Sequence, residues 1–275
     1  MFIFKQDKIF DRIVVLHLSF IALAFYLNVM SINSVYAYEI ARTVEAEEDI
    51  DQWLEEETEK SYSRADMLKA TGVAWDKWRN RLNVRCDELQ AHLTKEEKIL
   101  FEDAQQKWIE YEEAEKELLE VVRPPEGTYF LSLILDIKMG ITSGRAYELQ
   151  HLRTDIVKSS PTRNPVSDDL TGQYLIEAEE EIKILCDDFI PLIKDRKFRG
   201  DGDYYQRETE RQVLYDSQQK WIVLQDAQYM FLEALYRRGI LSEGALVDSK
   251  FRCTSSRAFD LMMAIELAKI IEETY

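Results

Sequence analysis

Apolar residues recur at three- and four-residue steps along most of the chain, a spacing that predicts amphipathic helices. From Ser63 to about Leu93 the stripe is Met67, Val73, Trp75, Trp78, Leu82, Cys86, Leu89 and Leu93, with Gly72 weakening its early part. Thr94-Lys95-Glu96-Glu97 reads as a capping box, in which the threonine serves N–H groups at a helix start and the glutamate reaches back. The helix it opens runs from Lys95 to about Val122 and stops at Pro124-Pro125-Glu126-Gly127. Further helices are expected at about 129–156, 174–197, 204–238 and 243–273, with Gly239 placed as a C-terminal cap of the helix at 204–238. Residues 158–173 hold two prolines and many turn formers and read as a linker. Residues 38–62 are acidic, with Trp53 and Leu54 their main apolar points, and fit either a mobile tail or a short charged helix. No segment alternates as a strand does, and nine glycines and five prolines are few for a strand-and-turn protein.

The N-terminus has a different pattern. Lys5, Lys8 and Arg12 precede a largely apolar run from Ile13 to Met30, followed by Ser34-Val35-Tyr36-Ala37. A positive start, an apolar stretch and small residues at −3 and −1 make a secretory signal with cleavage between Ala37 and Tyr38. An uncleaved inner-membrane anchor through residues 13–30 is the rival reading, since the run approaches spanning length. Export places the mature chain in the periplasm or outside the cell, with no membrane contact once the signal is removed.

Charge narrows the partners. The chain carries 52 Asp and Glu against 35 Lys and Arg, a net charge of −17. A basic surface for nucleic acid is therefore not expected, whereas a cationic protein would be steered in by this field. Solubility alone is the plainer reason for such acidity. Candidate chemistry is sparse. There is no Gly-rich phosphate loop, nucleophile elbow or HExxH, so no catalytic, cofactor-binding or metal-binding residues are assigned, and an enzyme is not expected. Acidic side chains are so abundant that any chosen carboxylate pair is uninformative.

The chain repeats itself. Asp103-Ala104-Gln105-Gln106-Lys107-Trp108-Ile109 recurs as Asp216-Ser217-Gln218-Gln219-Lys220-Trp221-Ile222. Downstream, Asp136, Lys138, Thr142, Ser143, Arg145, Ala146 and Tyr147 parallel Asp248, Lys250, Thr254, Ser255, Arg257, Ala258 and Phe259. Upstream, Leu82, Cys86, Asp87, Glu88 and Leu89 parallel Ile182, Cys186, Asp187, Asp188 and Phe189. Three matches in one order argue for a duplicated helical unit.

These blocks carry a resemblance. Leu82-Asn83-x-x-Cys86-x-x-Leu89, then Gln105-x-x-Trp108-x-x-Tyr111, then Thr142-x-x-Arg145 resembles the N-terminal domain of the lysozyme inhibitor LprI family. Gln218, Trp221, Thr254 and Arg257 repeat the later motifs in the second half. The resemblance implies small, exported, helical domains in two tandem copies, a first at 63–157 and a second at 174–275, after a signal at 1–37, the acidic segment 38–62 and around the linker 158–173. The fold class is therefore all-α, as two tandem bundles of a few antiparallel helices each. It also implies a non-enzymatic binding protein whose partner is a cationic lysozyme. A periplasmic adaptor or envelope assembly protein with another protein partner is the alternative. The disulfide usual in the family is missing here, since Lys116 and Tyr229 stand at its first cysteine position, as is the lipid anchor of LprI.

The repeated residues read first as architecture. Trp108 and Trp221 are expected as core anchors, and Trp75 and Trp78 as core or as part of a surface patch. Arg145 and Arg257 need partners if buried, and Glu113 and Asp226, five residues after each tryptophan, are the candidates. Cys86 and Cys186 occupy equivalent places on apolar stripes. They are expected as buried thiols or, more sharply, as a disulfide closing a long loop.

Overall fold

A computed structural model describes residues 49–122, 128–158, 168–194 and 203–274. The signal segment, its cleavage point, the Pro124–Gly127 stop and most of the linker lie outside the described residues. Within them the chain is all-α: α1 (Ile50–Lys60), α2 (Arg64–Gln90), α3 (Lys95–Val122), α4 (Thr128–Lys158), α5 (Asp168–Lys194), α6 (Asp203–Arg237) and α7 (Glu243–Thr274). The acidic N-terminal segment thus contains a short helix, and α5 begins inside the stretch read as linker.

Local chemistry sets several boundaries. Ser63 caps α2, its hydroxyl accepting from the Asp66 amide. The capping box forms as its residues predict: the Thr94 amide donates to the Glu97 carboxylate at 2.8 Å and the Glu97 amide donates back to Thr94 Oγ1 at 3.3 Å. Gly239 ends α6 at φ 77°, where a side chain would be strained. Its amide donates to the Tyr236 carbonyl and that of Ile240 to Leu235, the two bonds of a Schellman cap. Gly72 does not interrupt α2, since tertiary packing outweighs its propensity.

Within each half the first and third helices pack together, α2 on α4 and α5 on α7. The middle helices do something else: α3 packs along α6, across the halves. Phe101 meets Phe231 at 5.3 Å between ring centroids, Lys220 reaches Glu110, and Ser217 bonds Glu115. Residue numbers rise on one helix as they fall on the other, so α3 and α6 run antiparallel. The third helices α4 and α7 also touch. One hydrophobic core therefore runs through Ile50–Tyr275. Trp78, Leu89, Phe101, Leu118 and Ile134 of the first half share it with Phe189, Phe231, Leu235 and Leu261 of the second.

Helix α1 docks on the first half. Ile50 is buried, and Trp53 and Leu54 pack against the core from its rim. Asp51 accepts from the Trp78 indole at 3.2 Å and from the Tyr147 hydroxyl at 3.2 Å, and the Lys77 ammonium lies 3.9 Å from the Trp53 ring centroid.

Candidate functional site

The repeated motif residues converge on two equivalent polar clusters inside the helical core. Trp108 and Trp221 are buried, as are Leu82, Leu89, Tyr111, Thr142, Arg145, Thr254 and Arg257. Gln105 and Gln218 are half-buried, and Asn83 is exposed. Placement follows helix geometry, because residues seven apart share a face.

In the first cluster Arg145 of α4 donates to Gln105 Oε1 of α3 at 3.2 and 3.3 Å, to Glu148 at 2.9 Å, and to Gln228 Oε1 of α6 at 3.1 Å. In the second, Arg257 of α7 donates to Gln218 Oε1 of α6 at 3.3 Å, to Ser217 Oγ at 3.0 Å, and to Glu115 Oε1 of α3 at 2.5 Å. Each arginine thus holds the glutamine of its own half and reaches a residue of the other half. Glu115 and Gln228 are equivalent, each seven positions after its tryptophan. Glu113 and Asp226 are exposed and do not serve as the partners. Five residues past the tryptophan a side chain has turned toward solvent, whereas seven past it the chain faces the core again.

The second cluster carries more charge. The Tyr111 hydroxyl donates to Asp260 at 2.7 Å, and Arg257 touches the same oxygen at 3.3 Å. Burial pushes the Asp260 carboxyl up to about 7, with Glu115 and Glu148 adding repulsion against the hydrogen bond from Tyr111 and the charge of Arg257. Burial likewise holds the Tyr111 phenol well above its usual range.

Threonines complete the pattern. Thr142 donates to Glu112 at 2.8 Å and accepts from the Trp75 indole at 3.0 Å; Thr254 bonds Gln225 at 3.3 Å and Tyr229 at 2.9 Å. Glu112 corresponds to Gln225 and Lys116 to Tyr229, so charged side chains of the first half face neutral ones in the second. Trp75 therefore serves as a half-buried donor, and Trp78 is the core anchor.

Cys86 and Cys186 are half-buried free thiols, the first of the two readings of the sequence, with no bridge between them. Each sits in the niche of its own half. Cys186 Sγ lies 3.6 Å from Gln218, beside Arg257, and Cys86 feels the charge of Arg145. Burial raises the pKa of both. Among the described residues, no group of three or more His, Cys, Asp or Glu could hold a metal ion, and no helix is long and apolar enough to cross a membrane.

Through these bonds the two buried arginines link α4 to α3 and α6, and α7 to α6 and α3. Sequence reasoning missed Glu112, Glu115, Gln228 and Asp260. The available signal was their recurrence on the tryptophan and arginine faces.

Comparison with known proteins agrees with this architecture. A crystal structure of an uncharacterized protein from Burkholderia thailandensis shares the fold with a TM-score of 0.57 at 16% identity, covering 81% of this chain and 98% of that one. No curated protein matches the chain. The family model described as lysozyme inhibitor LprI matches residues 55–149, which include α2, α3 and most of α4. Over residues 55–149, about a third of its length, this chain is similar to the lysozyme inhibitor LprI family.

Proposed function

We propose that the protein is an exported, non-enzymatic binding protein that inhibits lysozyme by docking a cationic lysozyme on an acidic helical surface. The match of residues 55–149 to the lysozyme inhibitor LprI family carries this reading. Two features support it. The net charge of −17 favours encounter with a cationic protein. The N-terminal residues have the pattern of an export signal, and export brings the chain to where lysozymes act.

The test is a cell-wall clearing assay in which residues 38–275 are titrated against a cationic lysozyme from low to physiological salt. Stoichiometric inhibition that persists near ~0.15 M ionic strength is expected, because apolar contacts survive where long-range attraction is screened. Inhibition that disappears with modest salt would mark simple charge attraction. It would move the search to an envelope adaptor role with another protein partner.

A further inference from the structure

The outward face of α6 carries an apolar stripe. Tyr215, Gln219, Ile222, Val223, Asp226 and Met230 fall within one arc of about 100° on this helix, and all six are exposed. Tyr215 is 58% exposed and Met230 is 59% exposed. The stripe runs ~22 Å along the helix axis. Its flanks are taken: Lys220 reaches Glu110 of α3 on one side, and Gln225 and Tyr229 bond Thr254 of α7 on the other. Between those flanks, among the described residues, no element covers the apolar side chains.

The duplication supplies a comparison. The same six positions on α3 are Glu102, Gln106, Ile109, Glu110, Glu113 and Glu117. Where α3 has three of these glutamates, α6 has Tyr215, Val223 and Met230. The stretch Tyr215–Met230 holds two acids and one base, whereas the matched stretch Glu102–Glu117 holds seven acids and two bases. In a chain of net charge −17, the α6 face is thus a place where two copies can meet without strong repulsion. The order of the stripe is also its own complement. Reversed about the point between Ile222 and Val223, it sets Tyr215 on Met230, Gln219 on Asp226 and Ile222 on Val223. These pairs match in kind: a ring with a thioether, an amide donor with a carboxylate, and two branched aliphatics. The α3 series reversed in the same way sets Glu102 against Glu117 and Ile109 against Glu110.

We infer that the outward face of α6 is a self-association surface, on which a second copy of this chain docks antiparallel about a two-fold axis between Ile222 and Val223. Two-fold symmetry makes every contact occur twice. Tyr215 of each copy packs on Met230 of the other, and the Gln219 amide of each donates to Asp226 of the other. Apolar side chains are thereby removed from water. The central amide–carboxylate pairs fix the register and disfavour a parallel arrangement, in which Asp226 would face Asp226. The face is about four turns long, so the contact is small and the dimer reversible. The inference does not depend on the inhibitor reading.

Sedimentation equilibrium at ~0.15 M salt on residues 38–275, which contain the whole compact unit Ile50–Tyr275, is the test. The wild type should show a monomer–dimer equilibrium with a Kd between about 1 and about 200 µM, in keeping with a small interface. Ile222→Glu with Val223→Glu should weaken association at least about tenfold. Val84→Glu with Ile99→Glu adds the same charges at exposed positions of α2 and α3. It should alter association less than about twofold. All four side chains are exposed, so the helical fold tolerates the changes. Two further variants read the register. Gln219→Lys should tighten association at least about threefold through two new pairs with Asp226, and Gln219→Glu should weaken it at least about threefold. A wild type that stays monomeric up to roughly 500 µM, equal weakening by the two glutamate pairs, or equal effects of the two Gln219 substitutions overturns the inference.

Discussion

Arg257 and Glu115, 142 residues apart in the chain, form a 2.5 Å ion pair that ties the last helix of the second half to the middle helix of the first. Arg145 makes the corresponding crossing to Gln228 at 3.1 Å, where the partner is neutral. A carboxylate stranded in the core is costlier than a stranded amide. Arg257→Met should therefore destabilise the fold by about 3–5 kcal/mol. Arg145→Met should cost less, about 1–3 kcal/mol, since it strands only neutral groups and the partly exposed Glu148. Urea unfolding of the two variants tests the difference, and equal losses would contradict it.

Asp260 gives the fold a pH dependence. Its carboxyl is pushed up to about 7 in the folded state from an ordinary value of 3.8, chiefly by burial. The folded state then holds this proton more tightly than the unfolded chain does. The stability it contributes is complete below about pH 4 and is lost as pH rises through about 7. The groups facing it are Tyr111 and Glu115 of α3, Glu148 of α4 and Arg257 of α7. Asp260→Asn keeps an acceptor for Tyr111 without the charge. Its Tm should gain on the wild type between pH 5 and pH 8, and a constant difference would contradict the assignment.

The cysteines give a chemical readout. With no bridge, protein purified without reductant and then unfolded should show all three thiols, Cys86, Cys186 and Cys253, to a thiol reagent. In the folded state Cys253 should react slowest, because it is buried and burial raises its pKa furthest above the usual thiol range. One thiol on unfolding would mean that a disulfide forms in the exported protein.

Much of the local structure was legible in the sequence. Thr94 and Glu97 marked a helix start, Gly239 marked a stop, and Trp108 and Trp221, expected as core anchors, are buried. Each of these depends on neighbours a turn or two away. The crossed pairing of α3 with α6 was not legible, because a stripe shows which face is buried but not what covers it. The partners of Arg145 and Arg257 were misplaced for the same reason. Glu113 and Asp226 look suitable by proximity in sequence, yet helix phase turns them to solvent and brings Glu115 and Gln228 inward. The docking of α1 was open as well, since eleven residues rich in glutamate gain order from the basic edge of α2.

Binding itself is the most direct measurement of the proposed inhibitor role. Calorimetric titration of a cationic lysozyme into residues 38–275 at ~0.15 M salt should give saturable binding. No saturable heat would contradict the account.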